Sequence, residues 1–205
     1  RMTYWRPLPS GAGEVDGRTP ELDPQSAKVF RARVMRWRDR AEPEARAFGV
    51  PLHWVLALVY AESTGDPMAV SPDGGYGLLQ LTHPSTFEGH PKQSTLTDPG
   101  LNLRLGVKAM ARVIKALGPS ADLPRLASGY NAGLGAGGPH PSTQSPWGMR
   151  ETKGHISRTV AAGNTALREL GADTPKAGAP ASPGRSDAET GLALSMLLLK
   201  VGRFL

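Results

Sequence analysis

A glutamate closes a strongly apolar stretch of this chain. Trp54-Val55-Leu56-Ala57-Leu58-Val59-Tyr60-Ala61 is apolar on almost every side, and Glu62-Ser63 follow directly. A carboxylate held at the end of such a segment is partly desolvated, which raises its pKa toward the range where it donates a proton near neutral pH. General acid catalysis needs that property, for example to protonate a poor leaving group such as a glycosidic oxygen. Taken alone, a glutamate at a helix end is more often a surface residue, so the residues around it decide. A two-carboxylate mechanism would need a second acid about 5–10 Å away. The local candidates, Asp66 and Asp73, stand in Gly/Pro-rich sequence and read as helix-end or turn residues.

Other chemistries find little support. There is no cysteine, which excludes thiol nucleophiles, disulfide scaffolds and cysteine metal sites. The five histidines give no metal-ligand spacing, and His83 and His90 have no acidic partner nearby in sequence. No phosphate loop, dinucleotide fingerprint or nucleophile elbow occurs. The expectation is an enzyme without metal or cofactor.

The elements that must position Glu62 can be read from breakers and periodicity. Asp23-Pro24 is an N-cap followed by Pro at N1, opening a helix expected to run to about Glu42, where Pro43 interrupts it. That helix carries Lys28, Arg31, Arg33, Arg36, Arg38 and Arg40, which is either a solvated face or a stripe that docks on an anionic cell wall. Gly49-Val50-Pro51 starts the apolar helix, buried all round, and Gly65-Asp66-Pro67 must end it. Residues 71–81 suit a turn and short β-hairpin. Asp98-Pro99 begins a helix with Leu103, Val107, Met110, Ala111, Ile114 and Leu117 at helical spacing, stopped by Gly118-Pro119. A shorter helix spans about 122–132. A Gly/Pro loop over 133–149 contains Trp147, readable as a sugar-stacking lid residue or as plain packing, and a last helix runs from about Glu151 to Leu170.

The domain organisation expected is therefore an irregular arm over 1–23, a catalytic unit over 24–170, a Pro/Ala/Gly linker over 171–188 and an apolar helix over 189–205. With 205 residues the chain can bury one core of ordinary size, and its 25 glycines and 19 prolines point to long loops around it. The net charge of +6 favours anionic polymers, among them nucleic acid, anionic lipid and bacterial cell wall. No recognised nucleic-acid motif appears, and no run reaches the roughly 18–20 apolar residues of a transmembrane helix. No apolar segment of signal-peptide type follows the positive charge of the first residues.

Four ordered blocks carry a resemblance. Glu62-Ser63 with Pro67, Ala69, Ser71, Gly74, Gly77 and Gln80 resembles the Glu-Ser to Gly-Leu-Met-Gln signature of the soluble lytic transglycosylase family. Asp98-Pro99 with Asn102 and Gly106 is similar to the family's next helix, Tyr130-Asn131-Ala132-Gly133 to its Tyr-Asn-Ala-Gly block, and Glu151-Thr152 to its Glu-Thr element. The resemblance covers roughly residues 50–165. It implies a mostly helical α+β, lysozyme-like fold with a short β-hairpin and, beyond it, the C-terminal helical appendage.

The same resemblance implies roles. Glu62 would be the single catalytic acid and then base, breaking the bond between N-acetylmuramic acid and N-acetylglucosamine in peptidoglycan and leaving 1,6-anhydro ends. Ser71 would sit near the N-acetyl group. Gln80 and Tyr130 would line sugar subsites, Tyr130 close to the catalytic carboxyl, while Asn131 and Glu151 would shape and support the region. Departures stand at Asp66, where the family usually has Asn, at Leu79 and Thr82, where Met is frequent, and at His155, where Tyr is common after Glu-Thr. A hydrolase like goose-type lysozyme and a non-catalytic cell-wall-binding module of a phage tail or injection machine remain the alternative readings. The place of action implied is the bacterial cell wall, and the lack of a visible signal sequence fits carriage by a virion or phage-like particle, release at lysis or a shortened sequence, with the C-terminal helix read as a docking element for a larger assembly, a membrane-surface anchor or a helix packed back on the core.

Overall fold

A computed structural model describes residues 11–15, 17–132 and 146–172, the side chains of 120, 132, 146–152 and 172 excepted. The expected linker, the apolar C-terminal helix and residues 133–145 of the glycine/proline loop lie outside the described residues, as does the side chain of Trp147.

Helix α1 (Pro24–Val29) opens on Asp23, whose carboxylate accepts from the backbone N–H groups of Gln25 and Ser26, both at 3.0 Å. Helical structure then continues through a π turn (Phe30–Val34) and a 3₁₀ turn (Met35–Trp37) into α2 (Arg38–Phe48). The expected break at Pro43 does not occur. Pro43 lies inside α2, and the carbonyl its ring would crowd belongs to Asp39, in the first turn beside the 3₁₀ segment, where ideal α geometry has only just begun. Burial of Ala41 and Ala45 holds this helix to the core. Gly49, at φ 65°, ends it in the left-handed conformation that only glycine adopts without strain.

Helix α3 (Leu52–Ser63) is the central element, with every residue from His53 to Val59 buried. Helix α4 (Pro99–Leu117) starts at Asp98, whose side chain accepts from the Leu101 N–H at 2.7 Å, and buries Leu103, Val107, Met110 and Ile114 as its spacing predicts. Helices α5 (Leu123–Ala132) and α6 (Pro146–Ala172) complete the unit. Helix α6 packs on both α3 and α5, while α2 packs on α3 and α4. It begins at Pro146, earlier than the expected Glu151, with proline again in the first turn.

The segment 66–81 is a correction to the expected β-hairpin. Among the described residues there are isolated bridges, Val70 with Tyr76 and Tyr76 with Leu81, and no strand. The cause is local: Gly74, Gly77 and Gln80 all have positive φ, so no two neighbouring stretches stay extended long enough to pair. The described fold is thus mostly helical. Residues 11–15 and 17–23 form no helix, yet they lie against the core. Ala12 is buried, the Trp54 indole donates to the Gly11 carbonyl at 3.4 Å, and Asn164 on α6 donates to Pro20 at 2.9 Å.

Candidate active site

Glu62 is the penultimate residue of α3, and its side chain is 12% exposed. Two physical effects disfavour its charge there: burial, and the negative end of the helix dipole. Two groups from other helices meet it. His155 of α6 places Nε2 3.6 Å from Glu62 Oε1. Tyr130 of α5 is buried, and its hydroxyl is pushed well above the usual phenol range, first by burial and then by the Glu62 charge. Tyr130 therefore stays an O–H donor, and it donates to the Leu79 carbonyl at 2.9 Å.

The end of α3 is clamped from below. Thr64 takes the left-handed conformation at φ 53°, and Gly65 follows at φ 77°. A Cβ on Gly65 would lie 2.5 Å from the Arg33 carbonyl oxygen in the π turn, so only glycine lets the chain approach so closely. The Gly65 carbonyl in turn accepts from Trp37 Nε1 at 2.9 Å and Arg36 Nη2 at 3.0 Å, with the guanidinium stacked on the indole. Arg36 of the basic stripe is thus engaged with the core, and Arg31 pairs with Glu169.

The loop above Glu62 hangs from three side chains. Ser63 Oγ donates to the Leu78 carbonyl at 2.9 Å. Asn102, fully buried on α4, accepts from the Leu79 N–H at 2.8 Å and donates to the carbonyls of Tyr76 and Leu96 at 2.8 and 2.7 Å. The Leu79 peptide unit is therefore fixed on its N–H side by Asn102 and on its carbonyl side by Tyr130. Gly106 leaves room for the Leu79 side chain on α4.

The other residues singled out in the sequence fall into two groups. Ser71 and Gln80 come together around Gly75. Ser71 Oγ accepts from the Gly75 N–H at 2.9 Å, and the Gln80 amide donates to the carbonyls of Ala69 and Gly77 at 3.2 and 3.0 Å. Both thus brace the loop. Asn131 is half-buried at the end of α5, next to Tyr130. Glu151 lies on α6 one turn before His155, its side chain outside those described. Asp66 is exposed and accepts from the Met68 N–H at 2.9 Å, the turn role its sequence suggests. His155 had stood in the sequence as a departure without a role. The signal that could have found it is its spacing, one helical turn beyond Glu151. Among the described residues no group of three His, Asp or Glu side chains is placed to hold a metal ion, and no helix is long and apolar enough to cross a membrane.

A carboxyl 12% exposed at the end of a central helix thus meets side chains from two further helices. The backbone resembles that of the 70 kDa soluble lytic transglycosylase from Escherichia coli, with a TM-score of 0.54 at 21% identity over 65% of this chain and 24% of that one. It resembles equally an inactive mutant of lytic transglycosylase Slt from Pseudomonas aeruginosa, with a TM-score of 0.54 at 23% identity over 71% of this chain and 25% of that one. In sequence, residues 40–143 match the Transglycosylase SLT domain, and the chain belongs to that family. It is 32% identical over 104 residues to the endo-type membrane-bound lytic murein transglycosylase A of Salmonella paratyphi B and of Salmonella typhimurium, covering 46% of this chain. The chain spans about half the length, 50%, of these curated relatives.

Proposed function

We propose that this domain is a peptidoglycan lytic transglycosylase, cleaving the β-1,4 bond between N-acetylmuramic acid and N-acetylglucosamine. The observation that carries the reading is the Glu62 carboxyl, 12% exposed at the end of α3 and shared by α5 and α6 through Tyr130 and His155. Family membership and the relatives' description as lytic murein transglycosylases support it.

In the proposed reaction Glu62 gives its proton to the glycosidic oxygen, and the departing sugar leaves as an alcohol. The acetamido oxygen of the muramyl residue bonds to C1 as that bond breaks, forming an oxazolinium-like intermediate, with Ser71 near the N-acetyl group. The Glu62 carboxylate then takes the proton of the muramyl C6 hydroxyl, whose oxygen attacks C1 and displaces the acetamido oxygen. The product is a 1,6-anhydro end, Glu62 is protonated again, and no water is consumed. A second carboxylate has no step to perform, consistent with Asp66 serving its turn. Gln80, Tyr130, Asn131 and Glu151 would shape the subsites, Gln80 through the loop it braces.

Action at the bacterial cell wall follows from this substrate. Carriage by a virion or phage-like particle gains no support from the matched relatives and is not part of the proposal. The test is mass spectrometry of purified sacculi digested with the full chain beside Glu62→Gln. Anhydro-muropeptides should appear with the native chain and fall by about 10²–10⁴-fold with the variant. Reducing muramyl ends instead would make the enzyme a hydrolase of the goose-type kind, and no released product from either chain would leave a binding module.

A further inference from the structure

The imidazole beside Glu62 changes what the site can do. His155 is 4% exposed, and its Nε2 lies 3.6 Å from Glu62 Oε1. It occupies the position after Glu151-Thr152 where the resembling family commonly carries tyrosine. A phenol there can orient a carboxyl but stays neutral near pH 7, whereas an imidazole can hold a full positive charge. Among the described side chains, the titratable groups that meet at this point are Glu62 from α3, Tyr130 from α5 and His155 itself. The nearest cations of α6, Lys153 and Arg158, are exposed to solvent, where water screens them. Tyr130 carries no charge in this range.

We propose that His155 is a positioning residue that shares protons with Glu62, so that the pair, and not the carboxyl alone, sets the pH range of the reaction. This rests on the acid/base role proposed above for Glu62. With both groups protonated, delivery of the carboxyl proton to the leaving oxygen leaves a carboxylate facing an imidazolium, and that attraction favours the transfer. With one proton on the pair, the neutral form can still act as acid, while its tautomer, carboxylate beside imidazolium, cannot. Two coupled ionisations therefore govern the site.

The coupling is measurable without substrate. The full chain has five histidines, so the His155 ring signals are assigned by comparing its NMR spectrum with that of His155→Gln. The His155 midpoint should fall by about 1–3 pH units in Glu62→Gln, because the carboxylate that favours the imidazolium is gone. An unchanged midpoint overturns the proposal, whatever the enzyme cleaves. In the active enzyme the kcat/KM profile should show two ionisations, and His155→Gln should leave one; superimposable profiles overturn it as well. A coupled imidazole in a chain that releases no muropeptide would instead count against the proposed reaction and leave the coupling in place. If His155→Gln does not fold, the midpoint is followed by assigning the native spectrum directly, and the Glu62→Gln comparison carries the test.

Discussion

Asn102 is where the roof of the site can be tested most directly. It is fully buried and satisfies three backbone groups at once: the Leu79 N–H and the carbonyls of Tyr76 and Leu96. Asn102→Ala removes the partner of the Leu79 N–H and of the Leu96 carbonyl, while the Tyr76 carbonyl still accepts from the Leu81 N–H at 3.0 Å. Each buried group left unpaired costs about 1–3 kcal/mol, so for these two the loss should total about 2–6 kcal/mol, reduced if water enters. Against a typical domain stability of about 5–15 kcal/mol that is a large fraction. Asn102→Asp is sharper. It keeps an acceptor for Leu79 but sets an anion against two carbonyl oxygens, so folding must drive its carboxyl toward the protonated form. Its folded pKa is then above its unfolded one, and its deficit relative to the native chain should shrink as pH falls from 7 to 5. Urea unfolding of the three proteins at both pH values measures these differences. Activity per folded molecule should also fall in Asn102→Ala, because the Leu79 peptide that Tyr130 holds is no longer fixed from its other side. A deficit below about 1 kcal/mol for the alanine variant, or a pH-independent one for the aspartate, would refute this account of the roof.

Two further outcomes follow from the same geometry. His53, buried at the start of α3, titrates at about 4 in the folded chain because burial opposes its charge, the Gly11 backbone acting weakly the other way, against 6.5 when unfolded. Its stabilising effect is complete above pH 6.5 and is lost as pH falls toward 4, an effect of up to about 3 kcal/mol. Stability measured across that window should fall less steeply in His53→Gln, and parallel curves would count against it. Gly65→Ala should lose about 2–5 kcal/mol, from left-handed strain and the collision with Arg33, while Gly49→Ala, equally left-handed but with open space at its Cβ, should lose only about 1–2 kcal/mol in thermal or urea unfolding. Equal losses would mean that the π turn yields.

Much of the framework was legible because it is encoded locally. Asp23-Pro24 and Asp98-Pro99 mark helix starts by the cap and ring chemistry seen in the structure, and an octapeptide without a polar face announced a central helix. The hairpin was misjudged because glycines that permit a turn look the same in sequence as glycines that prevent strands, and the positive φ of Gln80 leaves no mark on its residue type. Pro43 misled for a related reason, since its tolerance depends on where the 3₁₀ segment ends. In the site, Glu62 stood out from its apolar neighbours. The grip of Asn102 on a loop 23 residues earlier, and the approach of His155 to Glu62, depend on how helices cross, which spacing along one segment cannot convey.

The long helix α6 lies wholly beyond the stretch 40–143 that defines the family match, yet it covers one flank of α3 and brings the imidazole. A fragment trimmed to the matched limits would bare that apolar flank to water and give up Ala162 and Ala166 from the interior. It would keep Glu62 while discarding the helix that carries His155 to it. For this chain, the working boundaries of the domain are drawn by packing, and they fall wider than the matched stretch.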